Sequence, residues 1–273
     1  MANVLLTGAS GRLGTHLRRW FDERGRAYLA SDISAPEDGS SVEIANLADA
    51  DAVDRLMRQD ISAVVHFGGM SKEAGWQTIL QSNIMGSYNI FEAARRAGVK
   101  RVVFASSYHA QGMYPLPETP IAVTDPFRPD SLYGVSKAFG ESLSRLYFDK
   151  FGIECLCIRI CTAGQPGGPR EARLWCNRDD LARLVEHALD HPRLGHRTIF
   201  GISDNPHAFY VNAPDPEFGW APAHSSLELG IPDPRDGLDP TDARNRWTGG
   251  IFAEWGHFDD PDITAEVHST HQG

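Results

Sequence analysis

The chain has 273 residues, 41% hydrophobic and 23% charged, with a formal charge of −10 at pH 7. That length suits one large α/β domain, or one carrying a small lobe, with an ordinary globular composition. Lysines and arginines are dispersed and outnumbered, which excludes the concentrated basic face that a nucleic-acid partner requires. A small anionic ligand held by one or two arginines stays compatible with this balance.

Residues 1–7 read as a short apolar strand without the basic region or cleavage site of a signal peptide. No apolar run reaches the roughly 18 residues of a membrane helix, so no membrane partner is expected. Further strand-like runs lie at 27–31, 63–67, 101–105 and 155–160, and helical spacing at 13–24, 49–57, 76–97 and 132–151. In the last of these, Leu132, Phe139, Leu143, Leu146 and Tyr147 recur at helical intervals. Strand and helix alternate, which predicts a Rossmann-type doubly wound parallel sheet with helices on both faces.

After Ile160 the texture changes. A Gly/Pro-rich loop at 164–169 precedes a helix at 179–189 and a strand at 198–200, and the rest is rich in Pro, Asp and Trp. Residues 1–162 are therefore expected to form the dinucleotide domain. Residues 163–273 are expected to give a small substrate-covering lobe interleaved with the last sheet elements, ending in a polar tail after about residue 256. Cys155, Cys157, Cys161 and Cys176 match no zinc or redox spacing and read as buried free thiols in a reduced, cytoplasmic setting. No metal is expected.

The first strand runs into Gly8-Ala9-Ser10-Gly11-Arg12-Leu13-Gly14, where a helix opens. Glycines let the backbone approach a pyrophosphate, and the helix N-terminus offers free N–H groups and a favourable dipole. Asp32 closes the second strand, about 20 residues on, where a carboxylate accepts hydrogen bonds from adenosine ribose hydroxyls and repels a 2′-phosphate. No basic residue follows at Ile33 or Ser34, so the expected cofactor is NAD. Asn46 and Leu47 are placed beside the adenine, and Phe67, Gly68 and Gly69 after the third long strand, with Ile160, along the rest of the cofactor.

Tyr133-Gly134-Val135-Ser136-Lys137 puts a phenol and an ammonium four residues apart on one helix face. A phenol with its usual pKa near 10 is a poor base at neutral pH, but a nearby ammonium and an oxidised nicotinamide favour the phenolate. The loop beginning at Ser106-Ser107 follows the 101–105 strand and supplies a hydroxyl for the substrate oxygen. Tyr133, Lys137 and Ser107 are thus the expected catalytic set. Asn83, in the 76–97 helix, is read either as support for the lysine-bearing helix or a water relay, or as a mid-helix polar contact.

These residues together resemble the extended short-chain dehydrogenase/reductase superfamily, more closely the uronate dehydrogenases than the nucleotide-sugar epimerases. The strings that carry the likeness are His66-Phe67-Gly68-Gly69-Met70-Ser71, Val103-Phe104-Ala105-Ser106-Ser107-Tyr108-His109 and Arg128-Pro129-Asp130-Ser131-Leu132-Tyr133-Gly134-Val135-Ser136-Lys137, followed by Leu146-Tyr147-Phe148-Asp149-Lys150-Phe151-Gly152. The resemblance implies oxidation of the C1 hydroxyl of a cyclic hexuronic acid to an aldaric lactone. It places Ser71, Ser107, Tyr108, His109, Tyr133 and Thr162 around the sugar, and Arg170 on its carboxylate, where a guanidinium suits a bidentate acid partner. It also implies a homo-oligomer built on the 76–97 and 132–151 helices.

The chain departs from that pattern in three places. Tyr108 replaces an asparagine of Ser-Asn-His, Cys161-Thr162-Ala163 replaces Gly-Ser-Cys, and Phe209-Tyr210-Val211-Asn212 stands where the family has a tryptophan-rich segment. Alternatives are a dehydrogenase of another sugar or polyol, for which Arg170 would be dispensable, and a nucleotide-sugar epimerase or dehydratase. The latter wants a longer C-terminal domain and an acid near Ser106-Ser107. A non-catalytic NAD sensor would have no need of a phenolate.

Overall fold

Leu5 and Leu6 are fully buried on opposite faces of β1 (Asn3–Thr7), which marks that strand as central rather than edge. The computed structural model describes residues 3–231, 238–239 and 241–258. In chain order β1 is followed by α1 (Arg12–Glu23), β2 (Tyr28–Asp32), β3 (Glu43–Ile44), α2 (Ala50–Met57) and β4 (Ile61–His66). Next come α3 (Trp76–Ile79), a π-helical segment (Leu80–Met85), α4 (Gly86–Ala97), β5 (Arg101–Ser107), β6 (Ile121–Ala122) and α5 (Leu132–Phe151). The chain continues through β7 (Glu154–Ile160), α6 (Pro169–Arg173), α7 (Arg178–Asp190), β8 (His196–Gly201), β9 (Tyr210–Val211) and α8 (Ile251–Glu254).

Seven strands form one parallel sheet in the order β3-β2-β1-β4-β5-β7-β8. The order reverses between β1 and β4, and the crevice beyond the carboxyl ends of those two strands is where such sheets bind dinucleotides. On one face Leu17 and Phe21 of α1 and Leu181, Leu184 and Val185 of α7 pack on Val4, Leu6 and Ile158. On the other, Val53 and Leu56 of α2, Ile90 and Phe91 of α4 and Tyr147 of α5 pack on Leu5, Val64 and Phe104. Burying one such phenylalanine contributes about 1.5–3 kcal/mol. Gly140 exists for this packing, since a Cβ there would lie 2.2 Å from the Phe104 ring.

The doubly wound sheet is as expected, with β8 added at its edge beside β7. The single helix expected over 76–97 is instead three pieces, because the backbone widens to a π-helix between α3 and α4. That widening turns Asn83 inward, where it bonds both backbone groups of Met70. The short β6–β9 pair and α6 had no periodic signal. All four cysteines are buried and free. The expectation of a polar tail falls mostly outside the described residues, and no described helix is long and apolar enough to cross a membrane.

Candidate active site

Three glycines shape the turn from β1 to α1, each for a different reason. Gly8 has φ +73°, and a Cβ there would meet the Phe67 carbonyl at 2.5 Å. A Cβ on Gly14 would stand 2.0 Å from the Gly8 carbonyl oxygen, so α1 seats directly on the loop. Gly11 is the N-cap and would meet nothing nearer than 3.4 Å, leaving its outer side open. No side chain caps α1 and its first turn holds no acid, so its N–H groups and dipole face the crevice unneutralised. This cradle fits a pyrophosphate.

Asp32 ends β2 with Oδ2 accepting from Ser10 N at 2.9 Å and Oδ1 from Ile33 N at 2.7 Å. The Ser10 hydroxyl donates to Ser34 O at 2.7 Å, tying the glycine loop to the same turn. Arg12 is exposed and points toward Gly164, while Leu13 packs against the core. Asn46 is exposed and closes its own turn on Ala48 N; Leu47 fills the space beside Gly68 and Gly86. Gly68 N donates to Thr7 Oγ1 at 3.2 Å, and that hydroxyl also bonds buried His66, whose pKa burial pushes down to about 3. Gly69, at φ +135°, lies against Asn83.

β5 and α5 bring together the three residues expected to be catalytic. Lys137 Nζ donates to Ala105 O at 2.8 Å and stands 5.4 Å from the Tyr133 ring centre. Ser107 Oγ accepts from His109 N at 3.2 Å, and its hydroxyl is near enough to Tyr133 to lower the pKa of the phenol. Burial lifts the Tyr133 pKa to about 12 although the Ser107 hydrogen bond pulls it down, and burial lowers Lys137 to about 8. Asn83 Nδ2 donates to Ser136 Oγ at 2.9 Å, so it buttresses α5 between the two catalytic side chains.

The other residues expected to meet the sugar come from several segments. Ser71 is exposed on its loop and Ile160 half-buried at the end of β7. Tyr108 packs against Tyr210, with ring centres 5.6 Å apart, so two of the three departures from the family pattern contact each other. Arg170 Nη2 donates to the carbonyls of Trp247 and Thr248 at 3.0 and 2.8 Å, and its guanidinium lies 5.2 Å over Phe209. Its Nη1 is sealed from solvent without a hydrogen-bond partner, and burial lowers its pKa. No carboxylate pairs with it among the described residues. His109 is stacked between Tyr108 and Phe252.

Several contributors were not singled out from the sequence. Glu73 accepts from the first two N–H groups of α5, Leu132 N at 3.1 Å and Tyr133 N at 2.8 Å, anchoring the catalytic helix to the Ser71 loop. Burial raises its pKa. Glu141, one turn beyond Lys137, binds Arg159 through both oxygens at 2.9 Å and accepts from Ser106 Oγ. Their only sequence signal was an acid beside a motif, and the partners lie far away in the chain.

The glycine cradle, the acid at the end of β2 and the Tyr–Lys–Ser group at a switch point define a nicotinamide-dependent oxidoreductase of the extended short-chain type. The chain belongs to the NAD-dependent epimerase/dehydratase family, whose model matches residues 4–173. Among its members it groups with the uronate dehydrogenases. It is 42% identical over 267 residues to the uronate dehydrogenase of Pseudomonas syringae pv. tomato, covering 94% of this chain and 95% of that one. The structure of glucuronic acid dehydrogenase from Chromohalobacter salexigens matches with TM-score 0.85 and 40% identity, covering 95% of this chain and 100% of that one. A mutant uronate dehydrogenase from Agrobacterium tumefaciens, complexed with NAD, matches with TM-score 0.84 and 36% identity over 95% of this chain and 100% of that one.

Proposed function

We propose that this chain is an NAD-dependent dehydrogenase that oxidises the C1 hydroxyl of a cyclic hexuronic acid, such as galacturonate or glucuronate, to an aldaric lactone. The observation that carries the uronate reading is Arg170. A desolvated guanidinium with a sealed, unpartnered Nη1 and no carboxylate partner among the described residues is costly unless a ligand supplies the anion. A sugar carboxylate at Arg170 sets the ring between that residue and Ser107, with Ser71, Tyr108, His109 and Thr162 around its hydroxyls.

Gly8, Ser10, Gly11, Arg12, Leu13 and Gly14 would hold the pyrophosphate and Asp32 the adenosine ribose. Asn46 and Leu47 would flank the adenine, and Phe67, Gly68, Gly69, Asn83, Ile160 and Lys137 would line the remainder. When bound, NAD⁺ supplies the electron acceptor for C1 and a positive charge beside Tyr133. Ser107 orients the C1 hydroxyl, and Tyr133 receives its proton at the phenolic oxygen. Lys137 keeps that oxygen in a field favouring its ionised form. In this reading residues 1–162 carry cofactor and catalytic groups, and residues 163–273, interleaved with β8, cover the substrate. The protein is expected to work as a cytoplasmic homo-oligomer.

NADH absorbance followed across galacturonate, glucuronate and the matching neutral aldoses tests the proposal. Turnover on a uronate, lost in Arg170→Ala while NAD still raises the melting temperature, is the expected result. Turnover confined to neutral sugars would overturn it.

A further inference from the structure

Two glycines on separate segments make room for one buried carboxylate. A Cβ on Gly112 would sit 1.8 Å from Asp130 Oδ2, and one on Gly249 2.0 Å from the same oxygen. Neither has a positive φ, so proximity rather than backbone conformation demands glycine. The Asp130 side chain has 0% exposure. Such a built enclosure around one acid, beside the catalytic tyrosine, needs a reason.

The hydrogen-bond directions supply it. Ser131 Oγ accepts the Gly134 N–H at 3.0 Å, so its single hydrogen is directed to Asp130 Oδ1, 2.7 Å away. Asp130 Oδ2 lies 2.6 Å from Nδ1 of His109. The imidazole is clamped between Tyr108, with ring centres 4.1 Å apart, and Phe252, at 4.3 Å and 19°. It stands edge-on to Tyr133, at 67° and 5.7 Å. Among the described residues no protein group hydrogen-bonds its Nε2, and that atom is not one of the sealed orphans. The ring is fixed on both faces and at one nitrogen, with the other nitrogen left to the pocket.

We infer that Asp130 is a positioning residue that sets the tautomer of His109: by accepting Nδ1–H it leaves Nε2 bare, so His109 demands a hydroxyl donor from the sugar ring. A neutral imidazole donates at one nitrogen and accepts at the other, and the partner of the first decides the role of the second. The inference rests on the sugar-acid reading for its ligand, but the tautomer itself does not. The pocket therefore discriminates by donor direction at one ring position. It accepts a hydroxyl there and rejects a group of similar size that can only accept.

Monodeoxy-fluoro uronates, with fluorine replacing one ring hydroxyl at a time, are the probe, because fluorine cannot donate. At the position His109 reads, wild type is expected to lose at least about 10-fold in kcat/KM, from a mismatched polar contact. Asp130→Asn keeps the carbonyl on Ser131 and turns its amide N–H toward Nδ1, which moves the imidazole proton to Nε2. This variant is expected to lose about 10–100-fold on the parent sugar, mostly through KM. Its discrimination against fluorine should shrink to within about 3-fold at that one position only. Unchanged discrimination in an active variant overturns the inference.

Nitrogen-15 NMR of the wild-type protein, with His109 assigned from the missing signals of His109→Asn, reads the tautomer without any variant at Asp130. A proton on Nδ1 supports the inference; one on Nε2 overturns it, whether or not Asp130→Asn folds. Failure of the uronate proposal would instead appear as wild-type silence on every sugar acid, and leaves the NMR result to decide the tautomer.

Discussion

Lys137 reaches from α5 to β5 and donates its Nζ hydrogen to the Ala105 carbonyl, 2.8 Å away, with no acid paired to it among the described residues. The ammonium is held by a neutral oxygen in a buried site, which is why burial lowers its pKa to about 8. A lysine depressed in the folded state makes the unfolded chain bind more protons between about pH 8 and 10.5. Stability from this group therefore rises with pH across that window, and below it the full cost is present. Lys137→Met is expected to abolish turnover, by about 1,000-fold or more, yet to gain on the order of 1–2 kcal/mol at pH 7. Thermal melts of wild type and variant at pH 7 and pH 10 check this, the gain narrowing at the higher pH.

Ser107 is the one neighbour that lowers the pKa of buried Tyr133. In the proposed mechanism the phenolate is the active form, so activity is expected to rise with pH, and removing Ser107 is expected to push that rise to higher pH. Ser107→Ala is expected to shift the ascending limb of kcat/KM alkaline by about 1 unit and to cost about 100-fold at neutral pH. A pH–rate profile at saturating NAD⁺ measures both.

Asp32 has both oxygens engaged by backbone N–H groups of the glycine loop and its own turn, so it is presented rigidly. Asp32→Ala should weaken NAD⁺ by about 10–100-fold and bring NADP⁺ within about 10-fold of it, by removing both hydroxyl acceptor and like-charge repulsion. Kd values for both dinucleotides, from fluorescence titration, decide the matter.

Gly250 stands at φ +65°, and a Cβ there would lie 3.0 Å from Arg170 Nη2. Gly250→Ala combines about 1 kcal/mol of backbone strain with displacement of the guanidinium. The expected outcome is a KM for uronate raised about 5–20-fold with NAD affinity unchanged. Parallel titrations of sugar and cofactor separate the two.

What was legible in the sequence was what local chemistry writes. The glycine loop, Asp32 and the Tyr133–Lys137 spacing each stand on one element, so position along the chain almost gives position in space. Asn83 illustrates the boundary. Its residue type and rough place were readable, but the π-helical widening that aims it at Met70 and Ser136 is a tertiary compromise without periodic trace. Asp130 stood inside a recognised string with no visible purpose, because its purpose needs Gly112 and Gly249 from distant segments. Arg170 could be placed only through the resemblance. What makes it informative, its Nη2 held by the Trp247 and Thr248 carbonyls with no acid partner among the described residues, lies far along the chain.

The wall behind Arg170 and His109 is contributed by residues 247–252, which follow every strand of the sheet. Synthesis runs in the opposite sense to catalysis. A nascent chain lays down the dinucleotide cradle first, and only much later acquires the carbonyls that orient Arg170 and the ring that steadies His109. In the proposed site, the residues that would meet the dinucleotide are thus made well before the segment that holds the residues that would meet the sugar.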